Sequence, residues 1–290
     1  MEYPVLSPQV AHSLTTIVAS GVTGRGPSAL CVDGVWQTAL TLIARSQRIA
    51  VVSGFYVPVA SAPETDGPTG SAVLARALSA LGKDVAIWTD SLCLGTLRAC
   101  ANVLAFPDLC VHDAGSAKTP QPAPDADLLI YIERLGRARD DNYYNMRGEN
   151  ITQWTAPLDE WALSGAFSVI AIGDGGNEVG MGAYSDALTL LMPDFSRCLC
   201  RVEADVCIPV DVSNWGAYAL TTALSAISGR ALLQTEQEEM LMLQALCREG
   251  AVDGITKRCD LSVDGLELSV QLKIRAALEA LLPANDQAER

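Results

Sequence analysis

An α/β fold is predicted, with a mostly parallel sheet and helices on both faces in a Rossmann-like three-layer arrangement. Three features of the sequence predict it. Short apolar runs alternate with segments of helical periodicity along most of the chain, the pattern of strand–helix–strand units. Several of those runs are continuously apolar, as strands buried on both faces require. No long linker, low-complexity tract or internal repeat interrupts the pattern, so residues 1–290 are expected to form a single domain with room for a small subdomain.

The elements follow in order. After a short N-terminal helix, IAVVS at 49–53 reads as a buried strand, and a Pro- and Gly-rich loop runs from Gly54 to Gly70. SAVLARALSAL at 71–81 reads as a helix that stops at Gly82. DVAIWT at 84–89 is the next strand, 91–104 is helical, and 109–112 is a short strand. The Pro-rich KTPQPAPDAD leads into the strand LLIYIE at 128–133, and a long polar segment precedes a short helix near 158–164. SVIAIG at 168–173 is a strand that runs into a glycine-rich turn, with a helix expected over 178–192. DVCIPV at 205–210 is the last strand, followed by helices over 215–228, 236–249 and 267–282. The tripeptide VDG, at 32–34, 252–254 and 263–265, reads as an ordinary turn signal.

Composition removes several functions. Against 34 Asp+Glu stand 20 Lys+Arg, a formal charge of -14, so a basic nucleic-acid surface is not expected. Hydrophobic residues make up 49% and charged residues 19%, which argues against disorder. The mean hydropathy of +0.22 is high. Still, no run approaches the ~18 apolar residues of a membrane span, so the excess is assigned to an Ala- and Leu-rich core and a homo-oligomer interface. With only His12 and His112, a zinc site built on several histidines is excluded, and His112, in LCVHDA, reads as a core histidine. Nine cysteines, odd in number and without a CxxC, read as reduced, buried thiols. The first residues carry no basic region followed by an apolar one, so a cytoplasmic protein is expected.

In an open α/β sheet, ligands bind beyond the carboxyl ends of the strands, and polar segments follow the predicted strands at four places. Residues 54–70 carry Glu64, Thr65 and Asp66 among prolines and glycines. Residues 133–151 hold Arg134, Arg137, Arg139 and Arg147 among four acids, with Asn142, Tyr143, Tyr144 and Asn145 between them. Arginine grips a carboxylate through a planar fork, which a dianionic substrate of an acidic protein needs. GDGGNEVGMG at 173–182 fits neither a dinucleotide fingerprint nor a Walker A loop, and indicates an anion or metal near Asp174, Asn177 and Glu178. No nucleotide cofactor is therefore expected. SNWGAYAL at 213–220 places Ser213 or Asn214 as a helix cap.

Together PETDGPTGSAVLARAL (63–78), GRARDDNYYNMRGENIT (136–152), GDGGNEVGMG (173–182), SNWGAYAL (213–220) and VDGIT (252–256) resemble the D-glutamate cyclase family. The chain resembles the stand-alone microbial form of a domain that also forms the C-terminal part of a larger mitochondrial enzyme. The resemblance implies a lyase, of the carbon-nitrogen or hydro-lyase type, that converts D-glutamate to 5-oxo-D-proline and water. Such a reaction must take a proton from the ammonium, neutralise the γ-carboxylate and protonate the departing oxygen. Asp174 or Glu178 is a candidate base, and the amides of Gly175, Gly176 and Asn177 are candidate oxyanion donors, such donors being worth about 3–4 kcal/mol. Arg137 and Arg147 are candidates to hold the α-carboxylate, with Tyr143, Asn145 and Asn214 completing the binding set. Glu64, Asp66, Asp174 and Glu178 are alternatively ligands for Mg²⁺ or Mn²⁺. Two other functions stay open: a divalent-metal-dependent hydrolase or phosphatase acting on a small anionic metabolite, and a binding protein without catalysis.

Overall fold

The computed structural model describes residues 5–107 and 110–282. Two helices, α1 (Pro8–Val18) and α2 (Gly34–Arg45), precede the first strand, β1 (Arg48–Ser53). A small hairpin, β2 (Tyr56–Val57) and β3 (Ala62–Pro63), then leads to α3 (Pro68–Ala80). Next come β4 (Asp84–Thr89), α4 (Leu94–Val103), β5 (Val111–Asp113), β6 (Leu128–Ile132), α5 (Asp159–Leu163) and β7 (Ser168–Gly173). The chain closes with α6 (Ser185–Leu191), β8 (Val206–Pro209), α7 (Ser213–Ser228), α8 (Glu236–Arg248), the hairpin β9 (Ser262–Val263) and β10 (Leu266–Glu267), and α9 (Leu268–Glu279).

Six strands form one sheet in the order β5-β4-β1-β6-β7-β8, and every pairing is parallel. The chain works outward from β1 to β5, then crosses back to lay β6 on the other side of β1. The loops after β1 and β6 therefore leave in opposite directions, and a crevice opens between them at the carboxyl edge of the sheet.

Side chains along the strands alternate between two buried layers. Ile49, Val51, Ile87, Ile130 and Ile172 pack with the long helices α1–α4 and α7–α9. Ala50, Val52, Leu129, Tyr131 and Ala171 face the other way, onto Trp161 of α5, Leu188 of α6 and irregular chain. The three-layer arrangement is thus real but unequal, with long helices on one face and short ones on the other. No helix among the described residues is long and apolar enough to cross a membrane.

The structure departs from the sequence pattern at definite places. The helix expected over 178–192 is confined to Ser185–Leu191. Ahead of it the amides of Val179 and Gly180 bond to the carbonyls of Arg134 and Val202, which pins this stretch as extended chain. Gly180 has φ +92°, and a Cβ there would lie 2.4 Å from that of Ala171, so the turn runs hard against β7. The loop over 54–70 contains the β2–β3 hairpin and the first turn of α3. Helix α2 arises in a stretch that the sequence pattern does not single out. His112 is not a core residue: it is half-buried on the edge strand β5 and stacks on Trp88, with ring centroids 4.5 Å apart. Residue 109, in the strand expected over 109–112, lies outside the described residues. All nine cysteines are free; five are buried and Cys259 is exposed.

Candidate active site

The segments that leave β1, β6, β7 and β8 meet over the crevice. They bring Glu64 and Asp66, Glu133, Asp174, and Ser213 to one place, all buried. Arg25 reaches in from the segment between α1 and α2, and Gly254, Lys257 and Asp264 from that between α8 and α9. These groups surround a cavity of about 230 Å³, also lined by Phe55, Asn145, Met146, Arg147, Asn177 and Glu178.

Asp66 sits at the junction of two helices. Its carboxylate accepts from the amides of Ser213 (2.9 Å) and Asn214 (2.8 Å), the start of α7. The side-chain oxygen of Asn214 accepts in turn from the amides of Gly67 (3.0 Å) and Gly70 (2.8 Å), the start of α3. Beside Asp66 lies Asp174, gripped by both terminal nitrogens of Arg25 at 2.9 and 3.3 Å. Arg25 also donates to Asp264 and to the carbonyl of Asp211. The Asp211 side chain accepts from Ser20, Gly21 and Val22, fixing the loop that carries Arg25. Glu133 accepts from the hydroxyl of Ser213 at 2.7 Å.

So many buried acids resist ionisation together. Burial, with the charge of Asp264, pushes the Asp66 carboxyl up to about 7, against its hydrogen bonds to Asp174, Asn214 and Ser213. Burial and the same crowding hold Glu64 and Glu133 well above the usual carboxylate range. Asp174 is raised by burial too, against the pull of Arg25. Protonated carboxyls and carboxylates therefore coexist near neutral pH, a suitable setting for moving protons.

The glycine-rich turn is already occupied by an anion of its own. Glu178 folds back so that its carboxylate accepts from the amides of Gly175 (2.7 Å), Gly176 (2.8 Å) and Asp174 (3.3 Å). Gly175 and Gly176 thus hold Glu178 and do not present their amides to the cavity as oxyanion donors. Asn177 lines the cavity, and its side chain donates to the carbonyl of Tyr144, tying the turn to the arginine-rich segment.

That segment divides sharply. Asn145 and Arg147 line the cavity. Arg137 does not: its guanidinium is bound to Asp159 and Glu160, and Tyr143 donates to the same Asp159. Asn214 is spent on the amides of α3. Of the substrate-binding set read from the sequence, Arg137, Tyr143 and Asn214 thus lie outside the cavity lining and bond to neighbouring elements instead. Arg134, among the most deeply buried side chains, pairs with Asp90 at 2.7 Å.

The profile of a family described as D-glutamate cyclase-like, C-terminal, matches residues 14–279. The chain belongs to that family. The human mitochondrial D-glutamate cyclase is 36% identical over 67% of this chain. The match spans 35% of the human protein, so the chain corresponds to about a third of it. Among solved structures, an exopolyphosphatase-related protein from Bacteroides fragilis superposes on 87% of this chain and 58% of its own, with a TM-score of 0.42 and 11% identity. A likeness that faint carries no functional argument.

Several residues at the cavity of this D-glutamate cyclase-like chain carry no chemical signal of their own in the sequence. Two of the three VDG tripeptides, turns by pattern and one of them part of the VDGIT segment (252–256) that carries the resemblance, contribute some of them. In the first, Asp253 accepts from the amides of Ile255 and Thr256 and from Ser262 and Gly265. That turn lays Gly254 against Glu64 so closely that a Cβ would fall 1.5 Å from Oε1. In the other, Asp264 takes φ +56° at the tip of the β9–β10 hairpin and faces Arg25. Arg25 stands alone in a loop with no motif around it.

The acids are also arranged to suit a divalent cation. Oxygens of Asp66, Asp174 and Asp264 lie within 4.8 Å of one another, as do those of Glu133, Asp174 and Glu178. Asp174 belongs to both groups. Hard carboxylate oxygens in a buried excess of negative charge suit Mg²⁺ or Mn²⁺. Of the metal ligands read from the sequence, Asp66, Asp174 and Glu178 fall in these groups and Glu64 does not.

Proposed function

We propose that this chain cyclises D-glutamate to 5-oxo-D-proline with release of water. The observation that carries the reading is the cavity: several buried carboxyls with raised pKa values, ringed by Arg25, Arg147 and Lys257, in a space of small-metabolite size. Membership of the D-glutamate cyclase-like family, and 36% identity to the human enzyme, support it.

In the reaction a bond forms between the amine nitrogen and the carbon of the γ-carboxyl group, and one oxygen of that carboxyl leaves as water. Two of the three ammonium protons go with that oxygen, so no net proton is consumed. The site must lend groups that take a proton from nitrogen and return one to oxygen. Glu64, Glu133 and Asp174 line the cavity and fit that role, because a carboxyl with a raised pKa both accepts and donates near neutrality. Asp66, in contact with Asp174, extends the relay behind it. Holding the substrate folded, amine against γ-carboxyl, removes much of the entropic barrier. A divalent cation held by Asp174 with Asp66 and Asp264, or with Glu133 and Glu178, would polarise the γ-carboxyl as a Lewis acid.

The test is incubation of the purified protein with D- and L-glutamate, each with and without Mn²⁺, reading loss of free amine and appearance of 5-oxoproline. Consumption of D-glutamate is expected. If neither enantiomer is consumed in any arm, the cyclase reading falls. In the same preparations, Mn²⁺ is expected to raise the melting temperature of the wild type and not of Asp174→Asn, since Asp174 belongs to both acid groups.

A further inference from the structure

Two cations stand at this cavity without a carboxylate in hydrogen-bond contact. Arg147 is exposed at the rim, and among the described residues its side chain enters no ion pair. Lys257 donates only to the carbonyl of Gly254, inside its own turn. Both line the same cavity, and the charge of Arg147 adds to burial in holding the Lys257 ammonium below its usual range, against the pull of Glu64, Asp253 and Asp264. They come from separate loops, about 110 residues apart in sequence, each tightly built. Asn145 accepts from the amides of Arg147 and Glu149. Asp253 organises the turn of Lys257 and accepts from the amides of Ile255 and Thr256. Arg25, by contrast, is committed to Asp174, Asp264 and the carbonyl of Asp211.

Two cations at one rim repel each other, and an anion bound between them relieves that repulsion. We propose that Lys257, together with Arg147, forms the clamp for the carboxylate that does not react, and so selects amino acids with two carboxylates. The inference rests on the cyclase reading. The reacting γ-carboxyl must be neutralised and belongs inside, among the buried acids. The α-carboxylate stays charged throughout and belongs at the rim, where the cations are. Lys257 is the part of the clamp that the arginine-rich segment does not reveal.

The experiment compares D-glutamate with D-isoglutamine, in which an amide replaces the α-carboxylate, on the wild type, Lys257→Gln, Lys257→Arg and Arg147→Gln. Lys257→Gln is expected to raise KM for D-glutamate ~10–100-fold with a much smaller change in kcat. It should narrow the preference for D-glutamate over D-isoglutamine by a similar factor, and Lys257→Arg should restore most of both. Thermal stabilisation by glutarate, a diacid with no amine to cyclise, is measured on the same proteins and should be lost in Lys257→Gln and Arg147→Gln. An unchanged preference, or an unchanged glutarate shift in both Gln variants, overturns the clamp. If the wild type leaves D-glutamate untouched, the cyclase reading fails, and the glutarate shift alone then decides for or against the clamp.

Discussion

Asp66 and Asn214 cap each other's helices. The carboxylate that precedes α3 receives the first amides of α7, and the side chain of Asn214, on α7, receives amides at the start of α3. The exchange locks two helix N-termini side by side at the reversal of the sheet. The positive ends of both helix dipoles meet where the acids are most crowded.

Asn214→Ala removes the acceptor for the amides of Gly67 and Gly70 and the donor to the carbonyl of Thr65, all buried. A loss of about 2 kcal/mol in unfolding free energy is expected. Urea denaturation of the variant against the wild type measures it, and a midpoint within error of the wild type would contradict the capping role.

Arg137 and Arg147 belong to one segment but should fail differently. Arg137→Gln strips the guanidinium from Asp159, which is fully buried. It should cost about 3 kcal/mol of stability. Arg147→Gln, at an exposed position, should leave stability within about 0.5 kcal/mol and act on KM. Denaturation curves and steady-state kinetics on both proteins separate the effects; a reversal of the two would place the wrong arginine at the cavity.

Acid should favour the folded state through this site. In the unfolded chain Asp66 releases its proton near pH 4, whereas in the folded protein it does so at about 7. Between those values the folded state binds more protons. The contribution is fully present below the unfolded pKa and is lost as pH rises through about 7. Glu64, Glu133 and Asp174 are raised in the same direction. Asp66→Asn cannot ionise, so its stability should fall less than that of the wild type between pH 5 and 7.5. Parallel slopes in the two proteins would dismiss Asp66 as a titrating group.

Gly254→Ala tests the close approach of the two loops. A Cβ would fall 1.5 Å from Oε1 of Glu64 and 2.4 Å from Cδ, so the carboxyl must move. Overpacking of this kind costs about 1–3 kcal/mol. The displaced Glu64 should lower kcat more than the stability loss accounts for, measured at a temperature where the variant is fully folded. Unchanged kcat would show that Glu64 has no part in turnover.

The sheet was largely legible. β4 and β7 begin and end where the sequence pattern places them; β7 is buried on both faces and so writes its limits into adjacent apolar residues, whereas β4 alternates buried and half-buried positions. The helix expected over 178–192 was misread in its first half: a helical pattern of side chains there is overruled by Gly180 pressed against Ala171 and by Glu178 turning back on the glycine amides. Asp66, Asp174 and Glu178 stood out beside turns after strands. Arg25, Asp264 and Lys257 did not, since each sits in an ordinary loop and gains meaning only from residues far away in the chain.

By itself the sequence determined the α/β class, most of its strands and helices, and the family to which the chain belongs. All of these are set by short-range periodicity, turn chemistry and motif order. Tertiary structure alone decided which charges face one another. It gave Arg137 to Asp159 and left Arg147 at the rim. It filled the glycine turn with Glu178, and set Arg25 between Asp174 and Asp264. The reason is physical: a charge acts through space over a few ångströms, and the fold, not the order of residues, determines which charges come that close.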